Sequence, residues 1–288
     1  MDEELVSLLF ETNAFKVAEE NNLFWYTSGK LGPYFINVDY LYGSKEDSEN
    51  LLRIIDDLLQ NESKENIPSI LFEYLYKHYE ENKIFKTTID KLVEFVEVSI
   101  ETDSIDYISG GERRDWYFSI LVAYLLGKPH ITIFKDLTTV VSTCDFEEST
   151  LVTSLPDKSV FHVTDILNTG SSFERAWVPA INNLGSKIYW GLYTVDRNQG
   201  GNKCLENLDV QTYSLITLNK DLFALATKKG IISEAQQDLL NKYFEHPEET
   251  MQKFINSHPS FIQDAINGDN EKSAKRAKLC LEKQWYTI

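Results

Sequence analysis

Cysteine is scarce in this 288-residue chain: Cys144, Cys204 and Cys280 lie far apart and form no Cys-x-x-Cys pair. An odd, scattered set excludes a disulfide framework and a thiolate zinc site, and it reads as reduced thiols in a cytosolic protein. The five histidines, His78, His130, His162, His246 and His258, show no metal-ligand spacing either. No apolar run approaches the ~20 residues of a membrane span. The opening Met-Asp-Glu-Glu has neither the basic region nor the apolar stretch of a signal peptide. The expectation is a soluble, cytoplasmic protein with no membrane partner. Positive charge is also short, 28 Lys and Arg against 45 Asp and Glu, for a formal net charge of −17. That excludes a protein that grips nucleic-acid backbone, which needs a basic footprint, but it leaves room for a small basic pocket. With 42% hydrophobic and 25% charged residues, the chain has the composition of a folded protein, not a disordered one.

The acidic excess is uneven. Residues 45–103 carry 15 acidic and 7 basic side chains, whereas 219–288 carry 10 of each. In 45–103 the apolar residues fall at helical spacing, as in Leu51, Leu52, Ile55, Leu58 and Leu59, which predicts three helices with solvated acidic faces. From 104 short apolar runs alternate with helical patterns. Strands are predicted at 104–109, 130–134, 160–163 and 187–195, with helices at 116–126 and 172–184, the latter containing Pro179. Such alternation implies a parallel sheet with ligands at the carboxyl ends of its strands, so the loops after 109, 134, 163 and 195 matter most. Past 219 the pattern is helical again: Ser233 with Gln236 forms a capping box, and the His-Pro pairs at 246 and 258 mark helix boundaries.

The stretch "VFHVTDILNTGSSF" (160–173) carries the most chemistry. A buried strand delivers Asp165 at its end, and Asn168-Thr169-Gly170-Ser171-Ser172 then turns into a helix. Amides and hydroxyls at a helix N-terminus suit a phosphate monoester, and a carboxylate one turn earlier suits the hydroxyls of an attached ribose. A plain capped helix is the alternative. Arg113 and Arg114 follow a Gly-Gly turn, where guanidinium forks suit a diphosphate, or else pair with Glu112 and Asp115 at the surface. Arg197 suits a carboxylate on a ligand, or else pairs with Asp196. Tyr34 and Phe35 suit stacking on a flat base, or else belong to a core.

Segment 160–173 resembles the phosphoribosyl-diphosphate (PRPP) motif of the type I phosphoribosyltransferases, an apolar strand, two acids, two apolar residues and Thr-Thr-Gly-x-Ser. Three further segments resemble the orotate branch of that family: Thr27 to Asn37 ("TSGKLGPYFIN") its hood, Gly110 to Asp115 ("GGERRD") its pyrophosphate loop, and Val195 to Gly201 ("VDRNQGG") its Arg-bearing turn. The resemblance implies an α/β fold with a central parallel sheet flanked by helices, enlarged by a helical insertion and a C-terminal helical extension. It implies a domain over 1–218 (hood 20–44, insertion 45–103, PRPP-binding core 104–218) and an extension over 219–288. It also implies transfer of phosphoribose from PRPP to orotate, with Mg²⁺ held mainly by PRPP oxygens and water and no protein metal ligand. By carry-over, Thr164, Asp165, Asn168, Thr169, Gly170, Ser171, Ser172, Arg113 and Arg114 bind PRPP. Lys30, Tyr34, Phe35 and Arg197 bind the base, Asp165 and Lys135 are catalytic, and the protein is a homodimer.

Three departures set this chain apart. Thr164 stands where the motif has its first acid, Thr27 where the hood has a Lys, and 137–157 contains no Lys, Arg or His where the branch has a catalytic loop with both Lys and His. Each lost charge-assisted contact to a transition state costs roughly 2–4 kcal/mol unless replaced. Lys128, Lys135 and Lys158 are the candidate replacements. The competing reading is a catalytically weak relative that binds PRPP or a nucleotide as a sensor or assembly protein.

Overall fold

The computed structural model describes residues 2–19 and 22–287, so the first two positions of the 20–44 stretch lie outside the described residues. Helix α1 (Glu3–Glu11) precedes four short strands, β1 (Phe15–Val17), β2 (Phe24–Trp25), β3 (Leu31–Gly32) and β4 (Tyr34–Ile36). Three long helices follow, α2 (Lys45–Asn61), α3 (Ile67–Glu81) and α4 (Lys83–Ser99). Next come β5 (Tyr107–Gly111), α5 (Asp115–Leu125), β6 (His130–Ile133), β7 (Thr139–Ser142), β8 (Ser149–Val152), β9 (Ser159–Leu167), α6 (Val178–Asn183), β10 (Lys187–Asp196), α7 (Gly201–Glu206) and β11 (Gln211–Thr217). Helices α8 (Lys220–Lys228), α9 (Glu234–Glu245), α10 (Pro247–Ser257), α11 (Phe261–Asn267) and α12 (Glu271–Lys283) close the chain. The residues gather into two compact units, Met1–Ala14 with Val38–Leu218, and Phe15–Asn37 with Asn219–Ile288.

The first unit is built on a seven-stranded sheet of order β11-β10-β9-β5-β6-β7-β8. The five strands from β11 to β6 are parallel, β7 pairs antiparallel with β6, and β8 pairs antiparallel with β7. Two features differ from the sequence reading. β11 is a fifth parallel strand, and the acidic stretch expected as a loop is a hairpin. Its turn is closed by local hydrogen bonds: the Thr143 hydroxyl and the Glu147 amide both donate to Asp145 (2.5 and 3.1 Å). Phe146, at φ +61°, is buried and stacks on Phe72 at 4.8 Å.

The three helices predicted in 45–103 are present, and α2 and α4 carry side-chain N-caps. Ser44 accepts from the Asp47 amide (3.1 Å) and Asn82 from the Phe85 amide (3.1 Å), while Pro68 sits in the first turn of α3. They bury one stripe each: Leu51, Ile55 and Leu58; Leu71, Leu75 and Tyr79; Phe85, Ile89, Leu92 and Val96. The reason for this layer lies in α5, which is buried from Asp115 through Ala123. A helix apolar on every side needs cover on every side. The sheet supplies it on one face, and α3 and α4 pack on it as well. Pro179 lies in the first turn of α6, and a π-helical turn over Phe173–Trp177 links the preceding loop to it.

In the second unit β1 pairs antiparallel with β4, and β2 with β3. The Ser233/Gln236 capping box opens α9, α9 ends before Pro247, and α10 ends at Ser257, before His258-Pro259. Residues from 219–287 hold the 15–37 segment through its backbone: Gln236 donates to the Ala18 carbonyl (3.1 Å) and Arg276 to that of Trp25 (2.7 Å), and the Tyr286 hydroxyl accepts from the Leu31 amide (2.9 Å). Among the described residues no helix is long and apolar enough to cross a membrane.

Two groups of buried polar side chains lie in the first unit's core. His130 bonds Thr132 Oγ1 (2.9 Å) through Nδ1 and Ser119 Oγ (3.0 Å) through Nε2, and His162 Nδ1 bonds Ser109 Oγ (2.8 Å). Burial, with His162 adding to it, pushes the His130 imidazole down to about 3. The unfolded chain therefore binds a proton below about 6.5 that the folded chain refuses until about 3, so this group's contribution to stability falls as pH drops through that window. A His130→Gln variant is expected to be less stable than the wild type at pH 7 but to lose less melting temperature between pH 7 and pH 5, as measured by thermal unfolding at both pH values.

Candidate functional site

The carboxyl ends of β5, β6 and β9 surround a cavity of about 320 Å³, lined by Glu112 to Asp115, Lys135, Thr164 to Phe173 and Trp177. These are the ends of three of the four strands picked out from the sequence. The structure therefore gathers Arg113, Arg114, Lys135, Thr164, Asp165, Asn168, Thr169, Gly170, Ser171 and Ser172 around one space. Close packing shapes it at two glycines. A Cβ on Gly111 would lie 2.2 Å from the Trp177 ring, and Gly170, at φ +79°, would place one 2.8 Å from Cys204 Cβ and Leu205 Cδ1. Only glycine meets both the steric and the backbone demand at 170.

Asp115, at the start of α5, organises the floor. Its Oδ2 accepts from the Gly111 amide (3.1 Å), and its Oδ1 accepts from the Thr164 hydroxyl and from the Asp165 amide (3.3 Å). Asp115 is thus not the surface partner of an arginine that the sequence suggested. It is a buried carboxylate tying the ends of β5 and β9 together. His162 Nε2, fully buried, stands 3.7 Å from its Oδ2. Asp165 is itself only 9% exposed, and its Oδ1 accepts from the Ile166 amide at 2.6 Å. Burial, then the negative charges of Asp115 and Asp39, push its carboxyl well above the usual carboxylate range, with Arg114 opposing.

Both arginines are paired, though not with the partners that local sequence suggested. Arg113 ion-pairs with Asp56 of α2. Arg114 Nε lies 3.2 Å from Asp39, in the 3-10 turn Val38–Tyr42. Asp39 is 2% exposed and also accepts the Ser48 hydroxyl at 2.6 Å. Burial disfavours the Arg114 charge, but Asp39 and Asp165 outweigh it and raise its pKa. Glu112 accepts from the Lys135 amide (3.0 Å), joining the loop after β5 to the end of β6. The Lys135 ammonium makes no ion pair among the described residues.

Arg197, after β10, donates to Asn168 Oδ1 (3.1 Å) and so borders the 168–172 loop. Its turn is held by Asp196, 2% exposed, which accepts from the Asn198 amide and the Asn202 side chain (both 2.7 Å). Arg175, which the sequence reading did not single out, donates to the Ser171 carbonyl (3.2 Å) and hydroxyl (3.3 Å). Its position four residues past Ser171, one helical turn along, was the available signal. The hood residues belong to the second unit. Tyr34 is fully buried against Phe15, Tyr243 and Phe244 (5.5, 6.0 and 5.6 Å), so it is a core residue. Phe35 is 38% exposed, and Lys30 pairs with Glu248 (3.1 Å) and lies 4.3 Å over Trp285. No three His, Cys, Asp or Glu side chains converge as a metal cage among the described residues.

No family model matches the chain. It is 27% identical over 150 residues to the adenine phosphoribosyltransferase of Butyrivibrio fibrisolvens, covering 49% of this chain and 77% of that protein. It is 29% identical over 92 residues to the orotate phosphoribosyltransferase of Saccharolobus solfataricus, covering 32% and 47%. In fold it is similar to the orotate phosphoribosyltransferase of Francisella tularensis (TM-score 0.51, 12% identity, 84% of this chain and 98% of that one). It is also similar to Leishmania donovani UMP synthase (TM-score 0.50, 15% identity, 82% and 40%). The chain is thus similar in sequence to the adenine and orotate branches of the phosphoribosyltransferases and shares the fold of the latter.

Proposed function

We propose that the chain transfers the phosphoribosyl group of PRPP to a nucleobase, with orotate as the base, and releases diphosphate. The observation that carries this reading is the single cavity where β9 delivers Asp165 and the 168–172 loop beside Arg113, Arg114 and Lys135. In it the amides and hydroxyls of 169–172 take the 5′-phosphate, and Asp165 accepts from the ribose hydroxyls. Arg113 and Lys135 face the diphosphate. Diphosphate leaves the anomeric carbon through an oxocarbenium-like state, so the protein's task is to position the reactants and stabilise the departing charge. Asp165 could also meet a substrate-bound Mg²⁺ there, an ion that would be held chiefly by substrate oxygens and would further neutralise that charge. Arg197 favours orotate over adenine, because a planar guanidinium matches a carboxylate that adenine lacks.

A second reading, a protein that binds PRPP or a nucleotide with little turnover, is favoured by one observation: the Thr164 hydroxyl and both arginines already have carboxylate partners. Calorimetric titration of PRPP with Mg²⁺, followed by a diphosphate-release assay with orotate, adenine and other bases, separates the two. Binding with orotate-dependent release is the expected result. Binding without release on any base would support the second reading, and release with adenine alone would overturn the choice of base.

Asp165 supplies a prediction with two opposite signs. Its folded carboxyl holds a proton at pH values where the unfolded one, near 3.8, has lost it. The cost of that raised pKa grows as pH rises above 3.8, so it is larger at pH 7 than at pH 4.5, and it vanishes as pH falls below 3.8. Asp165→Asn keeps the acceptor for Ile166 and removes the charge. It is expected to raise the melting temperature by several degrees at pH 7, less at pH 4.5, while lowering turnover about 10²–10³-fold. Thermal unfolding at both pH values and the release assay check the pair of effects. A variant that is less stable at pH 7 would overturn the assignment.

A further inference from the structure

The α2 helix and the turn after it meet the cavity-forming segments at two points. Asp56 of α2 pairs with Arg113. Lys64 pairs with Asp136, the residue after Lys135, and donates to Thr138 Oγ1 (2.9 Å). The two arginine pairs differ in kind. Asp39 is 2% exposed and held from its other oxygen by Ser48, so withdrawing Arg114 would strand a buried charge, which is strongly unfavourable. The Arg113 and Asp56 side chains keep 37% and 47% of their surface exposed, and an exposed pair opens at little cost. Arg114 is therefore committed to the fold, whereas Arg113 is available for exchange.

We propose that Asp56 is an internal anion on Arg113 that the diphosphate of the substrate displaces, so that the 45–103 helices set the anion affinity of the site. The identity of the anion rests on the phosphoribosyl-transfer reading. A diphosphate outcompetes one carboxylate because it offers several charges and paired oxygens to the guanidinium fork. The carboxylate still lowers the observed affinity by the equilibrium constant of the pair it breaks, about two- to fivefold for an exposed pair.

The test is calorimetric titration of inorganic diphosphate with Mg²⁺, at fixed ionic strength, into the full chain and its Asp56→Asn and Asp57→Asn variants. Asp57 is the charge-matched control: it is exposed, one position along α2, and bonded to Asn61 (2.8 Å) instead of Arg113. Asp56→Asn is expected to bind about two- to fivefold more tightly than wild type and to melt only about one to three degrees lower, Asp57→Asn to match wild type in affinity, and Asp56→Asn to gain nothing when Arg113 is also alanine. Tightening no greater than that of Asp57→Asn would overturn the proposal and leave the transferase reading standing, since the wild type would still bind. Absence of diphosphate and PRPP binding in every variant would overturn both.

Discussion

The Asp115 carboxylate sits where two strands, a helix and a ligand-sized cavity meet, and much of the first unit depends on its three hydrogen bonds. From the first turn of α5 it accepts from the Gly111 amide at the end of β5, and from the Thr164 hydroxyl and Asp165 amide at the end of β9. A carboxylate in the first turn of a helix is favoured by the helix dipole, and each backbone donor it takes is one that the strand ends would otherwise leave unpaired. The consequence reaches the site. With Asp115 fixing the Thr164 side chain and the Asp165 backbone, the Asp165 side chain is held beside a second negative charge and under burial. That environment disfavours its charged form until a donor or cation arrives.

This arrangement bears on the missing motif acid. Thr164 cannot supply a carboxylate, but its hydroxyl is bound to one, so the carboxyl end of β9 still holds two carboxylates, Asp165 and Asp115. The second comes from another element and is only 6% exposed, so it acts on the floor of the cavity. The acidic stretch after β6 changes meaning in a similar way. Its Asp145 closes a hairpin turn, and its strands extend the sheet. The nearest cation to the cavity from that segment is Lys135, while Lys64 offsets the adjoining Asp136, whose carboxyl it pulls down to about 2.

What the sequence disclosed follows the range of the physics. The β9 strand, the 168–172 loop, the three helices of 45–103, the Ser233 cap and the His-Pro boundaries were legible because each rests on residues within one or two turns of each other. The hairpin was not, because four-residue strands joined by an acidic turn carry too little alternation to stand out from a loop. The β11 strand, at a sheet edge and only half-buried, gave an equally weak pattern. Tyr34 illustrates a different limit. Its aromatic neighbours Tyr243 and Phe244 lie some 210 residues away, so its local context read as well for stacking on a base as for a core. The partners of Arg113 and Arg114 lie 57 and 75 positions away. No local rule would pair them.

The charge distribution reconciles the proposed anion site with a net charge of −17. Most of the acidic excess lies before residue 104, on helices whose charged faces are solvated and screened over about 10 Å. At the cavity the balance is local. The Arg114 charge is matched by a buried carboxylate and contributes chiefly to the fold. Arg113 is matched by an exposed one that solvent and ligand can replace, and Lys135 has no matching carboxylate among the described residues. An anion entering there meets about one unmatched and one exchangeable positive charge, plus the uncharged donors of the 168–172 loop. That is a weaker electrostatic field than three unpaired cations would give. Affinity then depends more on hydrogen-bond geometry at the loop than on net charge, and geometry, unlike charge, discriminates a phosphate monoester from other anions.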